Sequence, residues 1–343
     1  MLDVAISQLT TIRWDWSREL AQVAEHGFAA ISLFRPKLSD LGPTAAAAQL
    51  SRAGVRVSSL QWAGGFTGSD GRSFAESVAD AGEAIAAAAT LVGTVGEPTR
   101  RPVVIVHSGC RGGHTRSHAA RLLTEALGLL VPEARRLGIV LAIRPIHAGA
   151  APGCSFLTGL EESLALVEGF GDPAVRLALD LWQFGDDGRV GALLPRLAEA
   201  AAVVQVADRC GPPTPCADRL PAGHGGLPLE RLVAGLWAHG YRGDFEFDPV
   251  GEAVEMLGYS GVLRETRLVA TAWGARLQSA ADAGLPAGAW LDGGVADGAL
   301  PERDDMASAT SPGPWDAGLV GVHRRAGAGS RRSQASSQTV SRG

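Results

Sequence analysis

The residues best suited to chemistry stand at the ends of apolar, strand-sized runs. PVVIVH (102–107) ends in His107, and IVLAIR (139–144) ends in Arg144, followed by Pro145 and His147. VRLALD (175–180) ends in Asp180, with Gln183 three residues on. VVQVAD (203–208) carries Gln205 and ends in Asp208, and DFEFD (244–248) carries Glu246 and ends in Asp248. Carboxylates and imidazoles can exchange protons with a bound molecule, and His107 and His147 could contact substrate oxygens or shuttle protons near neutral pH. A guanidinium stays charged and only donates hydrogen bonds. Strands meeting solvent would explain one or two such polar ends. They explain poorly an Arg, three Asp and two His at or just past the tips of such apolar runs, so these residues point to a pocket.

The elements that must position them alternate regularly over residues 1–276. VAISQ (4–8), AAISL (29–33) and VRVSSL (55–60) precede the five runs above. Amphipathic stretches lie between the runs, near 16–26, 43–53, 74–92, 115–137, 158–169, 190–201, 228–239 and 255–276. Gly27, Gly54, Gly138 and Gly243 precede strands and are expected to end helices. The runs are rich in Val, Ile and Leu without alternation, as in a parallel sheet buried on both faces. Eight strands alternating with eight helices predict the α/β class and a (β/α)8 TIM barrel. A doubly wound open sheet would carry a glycine-rich phosphate turn after its first strand, and SQLTTIRWDW there holds no glycine. The active site of such a barrel lies at the C-terminal strand ends, which gathers the polar residues at one mouth. Phe34 and Trp62, after strands 2 and 3, could form an apolar wall of that mouth or simply pack.

Composition narrows the partners. Of the 343 residues, 46% are hydrophobic and 20% charged, enough apolar material for a large core. The net charge of −5 argues against a nucleic-acid binder. No apolar run is long and pure enough to span a membrane, and MLDVAISQLTTIRWDW lacks the pattern of a signal peptide. Four cysteines, Cys110, Cys154, Cys210 and Cys216, are then expected as reduced thiols in the cytoplasm. Cys210 and Cys216 share a loop and could pair or hold a metal, though their spacing matches no zinc pattern. Residues 277–343 turn to Ala, Gly, Ser, Pro and Asp, and end in an Arg-rich stretch without acids, so a mostly disordered tail is expected there.

The resemblance to a known family rests on several segments. GFAAISLFRPKLSDLG and GVRVSSLQWAGGF resemble the opening of sugar isomerase/epimerase-like barrels of the xylose-isomerase-like superfamily. LGIVLAIRPIH resembles that family's fifth strand, which usually reads Glu-Pro where Arg144-Pro145 stand. RLALDLWQFG resembles the sixth, where a His follows the Asp by three residues; here Gln183 stands instead. VVQVADR and DRLPAGHGGLPLERLVAGLWAHGYRGDFEFD resemble the seventh strand through the eighth, with Asp218-Arg219, Gly223-His224-Gly225 and Gly240-Tyr241-Arg242-Gly243 as the matching elements. The resemblance covers about residues 1–275.

The resemblance implies a divalent metal of the Mg or Mn type, held by a Glu, an Asp, a His or Gln, and a second Glu from strands 5 to 8. Asp180, Gln205 and Asp248 match three of those positions, Asp248 being one methylene short, while Arg144 replaces the first Glu. An arginine cannot ligate a cation, so the metal is expected to be weakly held or absent, with the Arg144 guanidinium drawn to Asp180 or Asp248. Glu246 is the carboxylate nearest to hand as a replacement ligand, one pleat layer deeper than Asp248 and pointing the same way. Two-base epimerisation would lack a base, leaving one-base isomerisation by Asp248 with His107 or His147 and electrostatic help from Arg144. Arg219, with Gln183, is expected to contact an anionic or polyhydroxyl substrate; the structural alternative for Arg219 is a loop ion pair with Asp218 or Asp208. The implied activity is isomerisation or epimerisation of a small sugar, keto acid or cyclitol. A non-catalytic carbohydrate-binding descendant is the alternative. An apurinic-site endonuclease, from the same superfamily, would need a tri-zinc cluster that the eight histidines do not suggest.

Overall fold

The computed structural model describes residues 2–92, 101–150 and 154–283. Eight parallel strands close into one barrel in sequence order: β1 (Val4–Ser7), β2 (Ala30–Phe34), β3 (Arg56–Gly64), β4 (Val103–His107), β5 (Val140–Arg144), β6 (Val175–Asp180), β7 (Ala201–Val206) and β8 (Asp244–Phe247). The seam is closed by β1 and β8, with Ala5 opposite Glu246. The helices are α1 (Trp16–Glu25), α2 (Arg35–Leu41), α3 (Pro43–Ala53), α4 (Phe74–Val92), α5 (Arg116–Leu137), α6 (Leu160–Phe170), α7 (Leu181–Phe184), α8 (Val190–Ala200), α9 (Leu229–Ala238), α10 (Glu252–Leu257) and α11 (Tyr259–Asp282).

Alternation along the strands sorts side chains into two cores. Ile6, Ile31, Leu33, Val104, Val106, Leu141, Ile143 and Leu177 face outward and bury the inner stripes of the helices. Val103, Ile105, Val140, Ala142, Ala178 and Val203 face the barrel axis and fill its lower interior. The next inward positions on β4 to β6 are His107, Arg144 and Asp180, so strand periodicity itself carries polar side chains to the upper rim.

Helix ends follow the expected chemistry at three of four glycines. Gly27, Gly54 and Gly138 have φ between +67° and +76°, the left-handed turn that lets the chain leave a helix for a strand. Gly243 does something else. It is not left-handed, and a Cβ there would lie 2.4 Å from the Tyr241 hydroxyl, so it is a close-packing glycine. Gly240, with φ +92°, follows α9 instead. The strand expected over 55–60 runs on to Gly64, because its last residues pair with Val106 and His107 of β4.

The domain limit expected at 276 falls inside a helix. α11 continues to Asp282 and buries Leu277 and Ala280, so the folded unit extends at least that far. The rest of the expected tail lies outside the described residues. Among the described residues no helix is long and apolar enough to cross a membrane.

Candidate active site

β5, β6 and β8 bring their ends to a common cluster. Arg144 is 93% buried, and its Nη2 donates to Asp180 Oδ2 at 2.5 Å. Asp180 is fully buried and also accepts from the backbone N–H of Trp182, capping the single turn α7. The second cation is Arg219, from the loop after β7. Its Nη1 and Nη2 donate to Asp180 at 3.1 and 3.0 Å, and Nη2 also donates to both Asp248 oxygens at 2.6 and 2.7 Å. Its Nε reaches the Asp248 carbonyl, and the guanidinium lies over the Trp182 ring, 5.1 Å from the centroid. Arg219 is therefore not engaged in the alternative loop ion pair with Asp218 or Asp208.

Those two aspartates hold the loop that delivers Arg219. Asp208 accepts from the backbone N–H of Arg209, Gly223 and Leu227. A Cβ at Gly225 would lie 2.4 Å from the Asp208 carboxylate, so the Gly-His-Gly turn needs glycine at its last position. Asp218 accepts from the Ala253 N–H, and Arg219 pairs through its backbone with Val250. The loop is thus stitched to both β7 and the segment after β8.

Burial and charge set the ionisation of the cluster. Burial would raise the Asp180 carboxyl, but the Arg219 and Arg144 guanidiniums outweigh it and hold the group down at about 2. Asp248 is pushed up to about 6 by burial, with Arg219 only partly offsetting it and the Asp180 charge adding to the rise. Arg219 is held above the usual arginine range: its burial opposes the charge, and the two aspartates overcome it. One layer down, Glu246 is pushed to about 7 by burial, with one oxygen accepting from Ser58 Oγ at 2.7 Å. Its other oxygen, Oε2, has no partner.

The remaining residues singled out from the sequence divide into two groups. His107 packs against Trp62, ring centroids 5.2 Å apart, and Trp62 meets Phe34 edge to face at 5.4 Å. These half-buried rings form one wall of the mouth, beside Arg144. Burial first, then the Arg144 charge, lowers His107 to about 3. That shift favours the neutral imidazole and weighs against the expected proton shuttle near neutral pH at this position. His147 and Gln183 bond to each other instead, Gln183 Oε1 accepting from the His147 backbone N–H at 3.0 Å. The His147 ring accepts from the Gly149 N–H and packs on Phe184. Gln205 is fully buried, between Asp180 and Glu246 in register, and neither of its amide atoms has a partner. The bridging geometry of Arg219 and the stacking of Trp182 beneath it carried no local signal, because Arg219 lies 39 residues from Asp180 and 29 from Asp248 along the chain.

A metal fits these side chains poorly. Arg144 brings a fixed positive charge to the cluster, and the Asp180 and Asp248 oxygens already accept from guanidinium N–H groups. Among the described residues no group of three or more His, Cys, Asp or Glu is placed to hold a metal ion. Among the described residues no disulfide joins the cysteines, so Cys210 and Cys216 are not paired.

Known proteins resemble this arrangement at the level of the fold. A family model described as xylose isomerase-like TIM barrel matches residues 20–257. The structure of the IolI protein with a bound zinc atom superposes with a TM-score of 0.68 at 16% identity, over 80% of this chain and 99% of that one. L-ribulose 3-epimerase gives a TM-score of 0.66 at 17% identity, over 82% and 98%. The 3-keto-D-glucoside 4-epimerase of E. coli gives 0.63 at 14% identity, over 78% and 100%. Comparison of the sequence with curated proteins finds no match.

Proposed function

The chain belongs to the xylose isomerase-like TIM barrel family, and we propose that it takes a small polyhydroxylated or oxo compound (a sugar, keto acid or cyclitol) at its barrel mouth, with guanidinium groups in the place of a divalent metal. The observation that carries this reading is the Arg219 guanidinium spanning Asp180 and Asp248. It cross-links the carboxylates that a cation would otherwise join, and Arg144 adds a second positive charge on Asp180. No step is assigned to a metal. The neighbouring sugar epimerases supply the reaction class on this reading.

Isomerisation beside a carbonyl moves a proton through an enediolate. Asp248, with its carboxyl raised to about 6, is the group matched to carry that proton. Arg144 and Arg219 supply fixed positive charge to the developing oxyanion. With Arg144 at the end of β5, the second carboxylate of a two-base epimerisation is missing, which favours a one-base isomerisation. Neutral His107 serves as a hydrogen-bonding wall.

A non-catalytic binding protein is the second reading. It is favoured by one observation: both Asp248 oxygens already accept from Arg219. The test uses the full chain after EDTA treatment. Fructose, 2-ketogluconate and a keto-cyclitol, each with a ketone, are screened for a rise in Tm, and hits are incubated in D2O and followed by NMR. A ligand-induced rise without added metal is expected. A response seen only after adding Mg or Mn ions overturns the metal-free reading. Solvent deuterium at the carbon beside the carbonyl marks the isomerase, and its absence marks the binder.

A further inference from the structure

Three buried nitrogens on one side of the mouth have no hydrogen-bond partner: Trp62 Nε1, His107 Nε2 and Arg144 Nε. They come from adjacent strands, with Gly64 opposite His107 and His107 opposite Arg144 in register. The Trp62 and His107 rings touch. Buried N–H groups in folded proteins are satisfied almost without exception, so such a group signals a missing acceptor. The acceptors in the mouth are elsewhere. Asp180 and Asp248 lie on the β6 and β8 side and are taken by the two guanidiniums. Of the unpartnered oxygens, Gln205 Oε1 lies on β7 opposite Asp180, and Gln61 Oε1 and Glu246 Oε2 belong to the layer below, where Gln61 and Glu246 bond Ser32 and Ser58.

An edge of donors lacking acceptors selects a ligand group that only accepts. A hydroxyl offers a proton as well and would leave part of its own capacity unused here. Arg144 adds a formal charge, and its Nε–H stays free because only Nη2 is committed to Asp180. Resting on the reading of the mouth as a polyhydroxyl site, we infer that its β3–β5 side receives a carboxylate, so the ligand is a sugar acid or other hydroxy or keto acid rather than a neutral sugar. Arg144 and Trp62 bind the two carboxylate oxygens, and His107, as its Nε2–H tautomer, donates to one of them. The hydroxyl-bearing carbons then lie toward Gln205 and Asp248.

The test compares matched pairs that differ only in a carboxylate against a hydroxymethyl group: gluconate with sorbitol, and glycerate with glycerol. Sorbitol 6-phosphate is the anionic control. Binding to the full, EDTA-treated chain is measured by calorimetry. At least one acid is expected to bind about tenfold or more tighter than its polyol, the size of a hydrogen bond to a charged group. Trp62→Phe keeps the ring and removes one donor, and it should weaken the acid by about tenfold while leaving the polyol within about twofold. Arg144→Gln should do the same to a larger degree, with circular dichroism reporting that it folds. Equal affinity for acid and polyol overturns the carboxylate inference and leaves the polyhydroxyl reading standing. Preference for the phosphate over both acids also overturns it. Binding of none of the five overturns both.

Discussion

Exchanging Arg144 for glutamate should convert this mouth into a metal site. Two guanidiniums now face two carboxylates, so the cluster is neutral when Asp248 is ionised. Arg144→Glu leaves one guanidinium against three carboxylates, a net charge of about −2. Unit charges 4 Å apart interact by about 4 kcal/mol at an effective dielectric near 20. Swapping repulsion for attraction at residue 144 therefore shifts the Coulomb energy of a dication by on the order of 10 kcal/mol. Stripping water from the ion and the carboxylates returns most of this. Retaining even about 3 kcal/mol tightens binding by about 100-fold. The assay is Mn titration calorimetry and elemental analysis of EDTA-treated full chain, with Arg144→Met as the control that removes charge without adding a ligand. The variant is expected to take up one ion, and the wild type and the methionine variant none. A stoichiometric ion in the wild type, or a folded glutamate variant that binds no tighter, refutes the reasoning.

Glu246→Gln should flatten the pH dependence of stability. The folded carboxyl sits at about 7, above its ordinary value, so its contribution is full below about 4.5 and is lost as pH rises through 7. That shift corresponds to roughly 3 kcal/mol, so the variant should melt higher than wild type at pH 8 and near it at pH 5. Arg219→Met leaves Asp180 and Asp248 buried with one guanidinium fewer, and urea titration should show a loss of about 3–5 kcal/mol. Leu277→Ala should cost about 2–5 kcal/mol in the same assay; a silent change would place the end of the folded unit back at 276. Asp248→Asn should abolish solvent-deuterium exchange while ligand still raises Tm, and retained exchange would remove Asp248 as the proton carrier.

The fold was legible because it depends on periodic local signals. Strands such as VVIVH and VLAIR announce burial on both faces, and the left-handed glycines 27, 54 and 138 mark helix ends directly. Two helices were not legible for local reasons. α2 begins with Arg35-Pro36, which reads as a turn, and α7 is one turn capped by Asp180. The stretch expected as one helix over 255–276 is split by Gly258, with φ +74°. In the site, the inward placement of His107, Arg144 and Asp180 follows from alternation. The Arg144–Asp180 bond follows from opposite charges on neighbouring strand ends. The Arg219 bridge does not, since it depends on how Asp208 and Asp218 fold a long loop back across the mouth. Nor does the low value of His107, which needs the packed Trp62 ring and the Arg144 charge together.

A guanidinium can replace the charge of a metal but not its geometry. An ion gathers two substrate oxygens around one point, whereas Arg219 donates outward in a fixed plane and its donors are largely spent on Asp180 and Asp248. Free donors remain at Trp62, His107 and Arg144 on the β3–β5 side and at Gln205 on β7. On the proposed reading, recognition is separated from proton transfer: one side of the barrel would grip the ligand, and Asp248 on the other would exchange the proton. That division permits a single-base reaction on a ligand held by one end. It disfavours chemistry that needs chelation of two adjacent oxygens, because no side chain in the cluster offers a common point for both.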